Sequence, residues 1–149
     1  MTKKTVLLIE DNADDEVLAL KAFRHMPVPH EVVVARDGEG ALDYLFDASG
    51  EANRLGLEPP ALVLLDLNLP GIGGLEVLRR MRQDARTKLF PVVVLTSSLE
   101  DRDVIRSYGL GANSYIRKPV NFVEFIETVK QLATYWLLRN QPPPHEGIA

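Results

Sequence analysis

The chain has 149 residues, 46% hydrophobic and 26% charged, which suits a single soluble domain able to bury a proper core. Its net charge of −4 argues against a nucleic-acid surface covering much of that domain, and the absence of cysteine excludes disulfides, thiolate metal sites and thiol catalysis.

The N-terminal "MTKKTVLLIEDN" has too short an apolar run for a signal peptide, and no other run approaches the length of a membrane span. The expectation is a cytoplasmic protein with no membrane partner. The first element is "TVLLIE" (5–10), nearly continuous in apolar residues and stopping at an acid. After the acid-rich "NADDE", Val17, Leu20 and Phe23 recur at helical spacing. "HEVVVAR" (30–36) is a shorter strand-like run. "ASGEANRLGLEPP" (48–60) is a longer connection than such a unit usually needs.

"ALVLLD" (61–66) again ends on an acid and turns through Asn68, Pro70 and Gly71. Leu75, Leu78 and Met81 mark a helix after "PGIGG". The basic residues Arg79, Arg80, Arg82, Arg86 and Lys88 are interspersed with Glu76 and Asp84, which reads as a solvated face. "PVVVLTSS" (91–98) stops at hydroxyls, and "NSYIRKP" (113–119) at a lysine and a proline. The last helix carries an apolar stripe through Phe122, Phe125/Ile126, Val129, Leu132/Ala133 and Trp136/Leu137. Asn121 and Glu124 form a capping pattern at its start, and "QPPP" (141–144) ends it.

Short β-branched apolar runs suit parallel strands covered on both faces. Five of them alternating with helices predict an α/β, doubly wound parallel sheet with right-handed crossovers. One domain is expected over 1–140, with a flexible tail over 141–149 and no effector domain.

In such a sheet, ligands bind beyond the carboxyl ends of the strands. Here those ends carry Glu10 and Asp11, Asp66, Thr96 and Lys118. Singly, an acid after a strand is usually a helix cap and a lysine is usually on the surface. Together they form a complementary set. Three carboxylates repel one another, and a hard divalent cation relieves that repulsion, with Mg²⁺ the best match to a few oxygen ligands. Lys118 can neutralise a second anionic group and Thr96 can donate a hydrogen bond to it. The set suits a phosphoryl group carried on or near Asp66. A flavodoxin-type phosphate loop is excluded because "EDNADDE" has the wrong charge, and no GxGxxG fingerprint is present.

The motifs "LLIEDN", "LVLLDLNLPGIGG", "VVVLTSS" and "SYIRKP" resemble, in order and separation, the receiver domain of two-component response regulators. The resemblance covers roughly residues 4 to 138. It implies a flavodoxin-like five-stranded sheet in the order 2-1-3-4-5. It makes Asp66 the phosphoacceptor, served by a histidine kinase. Mg²⁺ would be bound by Asp11, Asp66 and the backbone carbonyl of Asn68, and by Glu10 through water. Thr96 becomes the switch hydroxyl, Tyr115 the switch aromatic, Lys118 the phosphate-binding cation, and Pro119 the residue after a cis peptide bond. Asn68, Ser97 and Ser98 would tune the phosphate lifetime. On phosphorylation Tyr115 would turn inward and reshape the face made by the fourth helix, the fifth strand and the fifth helix.

The long loop, the "DLNLPG" turn and the extended "YWLLRNQPPP" end look like the single-domain regulators that serve bacterial and cyanobacterial phytochromes. That likeness implies a phytochrome-type kinase and a homodimer, formed through the same face or through Tyr135, Trp136, Leu137 and Leu138, four residues that could equally pack on their own domain. Such a chain catalyses its own Mg²⁺-dependent phosphorylation and weak dephosphorylation but turns over no free metabolite. Two alternatives stand beside it: a receiver-like interaction module independent of phosphate, and a phosphatase with an aspartyl-phosphate intermediate. Asn68 stands where that phosphatase class places a second acid.

Overall fold

The computed structural model describes residues 3–46 and 59–144. The predicted long connection, up to residue 58, and residues 145–149 of the tail lie outside the described residues. The strands are β1 (Lys4–Ile9), β2 (His30–Ala35), β3 (Leu62–Leu65), β4 (Val92–Thr96) and β5 (Ser114–Arg117). The helices among the described residues are α1 (Ala13–Arg24), α2 (Gly38–Phe46), α3 (Gly74–Gln83), α4 (Asp101–Gly109) and α5 (Phe122–Thr134). A π-helical turn, Tyr135–Arg139, extends α5.

The strands pair in parallel, as expected from the apolar runs, and in the order β2-β1-β3-β4-β5 that the receiver resemblance implies. Because side chains alternate across a strand, each apolar run feeds two cores. Leu7, Ile9, Val63, Leu65, Val92 and Val94 point to the side packed by α2 and α3. Val6, Leu8, Leu62, Leu64, Val93 and Leu95 point to the side packed by α1 and α5. Every residue of β3 and β4 is buried, which is why those runs show no polar alternation.

The helices depart from the expected faces in two places. Val17 of α1 is half exposed, and the inner face is made instead by Ala19, Ala22 and Phe23. Two alanines let the helix lie close to the sheet, a stripe that a search for large apolar residues passes over. On α5 the buried line is Phe125, Val129, Ala133 and Leu137, whereas Phe122 is 67% exposed. The Asn121 side chain caps α5 by accepting from the Glu124 N–H at 3.0 Å, so Phe122 sits in the first turn, beyond the sheet edge.

The basic segment is also only partly a solvated face. Glu76 bridges Arg79 and Arg80, and Arg86 pairs with Asp84. Arg82 instead turns inward. It donates to the carbonyl oxygens of Lys88, Phe90 and Gly111 and to Asn113 Oδ1, at 2.8–3.0 Å, and so ties α3 to the starts of β4 and β5.

Candidate functional site

The ladder hydrogen bonds run past the strand ends and bring four of them into register. Glu10 N–H donates to Ala35 O at 2.9 Å, Asp66 N–H to Ile9 O at 3.0 Å, and Lys118 N–H to Thr96 O at 2.7 Å. Residues more than a hundred positions apart therefore meet at one sheet edge. The chain leaves Asp66 through Leu67 and Leu69, which are buried, and turns at Gly71, whose φ of 70° favours glycine. Gly74 then lies so close to the strand end that a Cβ there would be 2.3 Å from Asp66 O. A side chain at that position would push the Asp66 backbone away.

Carboxylate oxygens of Glu10, Asp11 and Asp66 lie within 4.8 Å of one another. Glu10 and Asp66 are buried and Asp11 is exposed, so the cluster has an open side toward solvent. Lys118 Nζ donates to Glu10 Oε1 at 2.9 Å, to Asp66 Oδ2 at 2.9 Å and to Asp15 Oδ2 at 2.8 Å. The other oxygen of Asp66 accepts from the Asn68 N–H at 3.1 Å.

These contacts push the titrations apart. Burial, only partly offset by Lys118 and reinforced by the Asp66 charge, raises the Glu10 carboxyl to about 7. Burial also works against Asp66, but the Lys118 charge and hydrogen bond, with Glu10 and Asn68, hold it below the usual carboxylate range. Lys118 is opposed by its own burial, yet its three acidic partners hold it above the usual ammonium range.

Thr96 is fully buried, and its Oγ1 accepts from Asn68 Nδ2 and from the Ser98 N–H, each at 3.4 Å. Ser98 Oγ in turn donates to Asp103 Oδ2 on α4 at 2.6 Å. A chain of contacts thus links Asn68, Thr96, Ser98 and the first turn of α4. Ser97 is exposed. Asp15 and Asp103 had no signal in the sequence, since each is one acid among many at a helix start.

Two expectations are corrected. The Lys118–Pro119 peptide bond is trans, not cis. Trans is the lower-energy form by about 0.5–1 kcal/mol for a proline bond, and Lys118 reaches all three acids with it. Separately, the Tyr115 hydroxyl is buried, and burial raises its pKa. Leu137 is 1% exposed in its own core and Trp136 packs against that core, which leaves only Tyr135 and Leu138 of that quartet exposed. The four-residue spacing from Val129 and Ala133 aims Leu137 inward.

The donor set fits a divalent cation. It offers hard oxygens only, two buried and one open to water, with more negative charge than one lysine can balance. The family model of the response regulator receiver domain matches residues 6–130. The chain belongs to that family.

This receiver is 40% identical over 138 residues to the probable methanogenesis regulatory protein FilR2 of Methanothrix harundinacea, covering 93% of this chain and 86% of that protein. It is 37% identical over 134 residues to response regulator Rcp1 of Synechocystis, covering 90% of this chain and 89% of Rcp1. The Mn(2+)-bound form of Rcp1 superposes with a TM-score of 0.85 over 95% of this chain and 99% of that one. The phosphorylated cyanobacterial phytochrome response regulator RcpA superposes with a TM-score of 0.89 at 40% identity, over 96% of this chain and 100% of its own. Receiver domains are phosphoacceptor switches rather than turnover enzymes, and their acidic pocket takes a divalent metal. Among the described residues no helix is long and apolar enough to cross a membrane.

Proposed function

We propose that Asp66 is the phosphoacceptor of a response regulator served by a histidine kinase of the phytochrome type. The observation that carries the reading is a buried carboxylate, 4% exposed, with an ammonium at 2.9 Å and two further acids within 4.8 Å. The similarity to Rcp1 and to RcpA supports the choice of kinase. In the transfer, an Asp66 oxygen forms a bond to phosphorus as the bond from phosphorus to the donor's imidazole nitrogen breaks. The imidazole keeps that electron pair. Water later attacks phosphorus and releases inorganic phosphate, restoring the carboxylate.

Mg²⁺ would be held by Asp11, Asp66 and the carbonyl of Asn68, with Glu10 acting through water, and would supply charge neutralisation for the transferring group. The chain's own residues do the rest. Lys118 turns from Asp66 to a phosphoryl oxygen. Thr96 donates its hydroxyl to another, which pulls on Ser98 and through it on Asp103 of α4. Asn68 and Ser97 border the path by which water arrives.

Moving such a switch from mostly off to mostly on takes about 5.5 kcal/mol of differential stabilisation. A few charge-assisted hydrogen bonds are of that size. The face that responds is α4–β5–α5, where Leu99, Ile105, Val120, Phe122 and Val123 are exposed. It is also the surface we assign to a homodimer, within a domain spanning 1–140 in the cytoplasm.

The test is intact mass after incubation with acetyl phosphate, with and without Mg²⁺, beside Asp66→Asn. One added phosphoryl group that needs Mg²⁺ and is absent in the variant is the expected result. No added mass under conditions that preserve acyl phosphates would overturn it and favour a phosphate-independent interaction module.

A further inference from the structure

An ammonium has three protons to donate, and Lys118 spends one on each of three acids: Glu10, Asp66 and Asp15. The first two belong to the carboxylate cluster that fits a cation. Asp15 lies outside that cluster, on the first turn of α1, and the phosphoryl-transfer reading gives it no task. Its contact with Lys118, at 2.8 Å, is nonetheless the shortest of the three. The lysine side chain is 8% exposed and that of Asp15 23%, so the pair is not a solvated surface contact that water screens away.

Asp15 is itself held from both directions. Its N–H donates to the Asn12 side chain at 2.9 Å, which locks the first turn of α1. The next residue, Glu16, takes a two-pronged contact from Arg36 at 2.9 and 2.8 Å. The helix start is thereby fixed in rotation, with each of the two acids held by its own cation.

We propose that Asp15 is a positioning residue for Lys118, holding the ammonium at the site while its other two partners are drawn away. The inference rests on the reading of Asp66 as phosphoacceptor. A cation in the cluster competes with Lys118 for the oxygens of Glu10 and Asp66. The new bond from Asp66 to phosphorus then converts its carboxylate to an acyl phosphate, and the charge Lys118 paired with moves to the phosphoryl oxygens. Asp15 takes part in neither event. One proton of the ammonium remains anchored while another turns toward the phosphoryl group. Without that anchor the four-carbon stem regains its rotamers, and ordering it again slows the transfer.

The experiment uses the full chain with acetyl phosphate and Mg²⁺, comparing wild type, Asp15→Asn and Asp15→Glu. Phosphorylation rate is followed by intact mass, the Lys118 ammonium by ¹⁵N NMR, and cation affinity by Mn²⁺ titration. At saturating phosphodonor Asp15→Asn is expected to slow phosphorylation about tenfold, the worth of one charge-assisted hydrogen bond, and Asp15→Glu to recover part of it. The Lys118 ammonium signal, sharp in wild type because its protons are engaged, is expected to broaden in Asp15→Asn, with Mn²⁺ affinity falling less than the rate. A wild-type rate in Asp15→Asn, or an unchanged ammonium signal, overturns the proposal. So does a loss of rate matched by equal loss of Mn²⁺ binding, which would assign Asp15 to the cation. If wild type itself gains no phosphoryl group, the reading of Asp66 fails first and the positioning role falls with it.

Discussion

Glu10 and Asp66 are both buried beside one ammonium, and they do not share it equally. Burial leaves Glu10 titrating at about 7, well above the usual carboxylate range, while Lys118 keeps Asp66 below it. The folded chain therefore binds a proton at Glu10 more tightly than the unfolded chain does. Stability from this group is fully present below about pH 4.5 and is lost as pH rises through about 7. Asp66 has the opposite sign, since its contribution is present above the usual carboxylate range and is lost as pH falls below it. In EDTA, urea unfolding is accordingly expected to show stability falling between about pH 5 and about pH 8, and Glu10→Gln to flatten that slope. A slope unchanged in the variant would place the titration elsewhere. The candidate acids were readable one by one because each ends an apolar run. Their unequal protonation was not, because it depends on which oxygen the lysine reaches.

Elements position these groups through backbone contacts as much as through side chains. The start of α3 passes so close to the end of β3 that Gly74 has no room for a Cβ between Asp66 O and Leu67 Cα. Gly74→Ala is expected to cost about 1–3 kcal/mol by overpacking and, because the clash falls on the Asp66 backbone, to slow phosphorylation as well. Thermal unfolding and the acetyl phosphate assay check the two effects separately. Arg82 does a comparable job for α3, β4 and β5 through three carbonyl oxygens and Asn113. Arg82→Met keeps most of the stem but leaves those acceptors short, at an expected cost of about 2 kcal/mol. Urea unfolding measures it. Helices α1, α3 and α5 were legible from spacing, and α2 and α4 only from the alternation with strands; the inward turn of Arg82 was not legible, because its acceptors lie up to 31 residues away.

The two-sided core decides which apolar residues remain for a partner. Leu137 fills the α1–α5 side, so Leu137→Ala is expected to cost about 2–5 kcal/mol without changing the association state. Phe122 and Val123 stand clear of that core, at 67% and 76% exposed. The Phe122→Asp/Val123→Asp pair is expected to leave the melting temperature near wild type and to convert the proposed dimer to a monomer by light scattering. A dimer that survives the pair would move the contact to Tyr135 and Leu138. Both residue sets looked alike in the sequence, as apolar positions near the two ends of one helix.

Residue type and spacing alone dictated the parallel sheet, its strand ends and the ordered set Glu10, Asp11, Asp66, Thr96 and Lys118. Burial on both faces demands unbroken apolar runs, and the polar residue that stops each run falls at the edge where ligands bind. Tertiary structure decided the rest: that Lys118 divides its protons among three acids, that the Tyr115 hydroxyl is buried, that Leu137 belongs to the core and that Pro119 follows a trans bond. Those outcomes depend on strand register and on the rotation of each helix about its axis. Both are set by packing between segments that are remote along the chain, as Lys118 and Asp15 are, 103 residues apart.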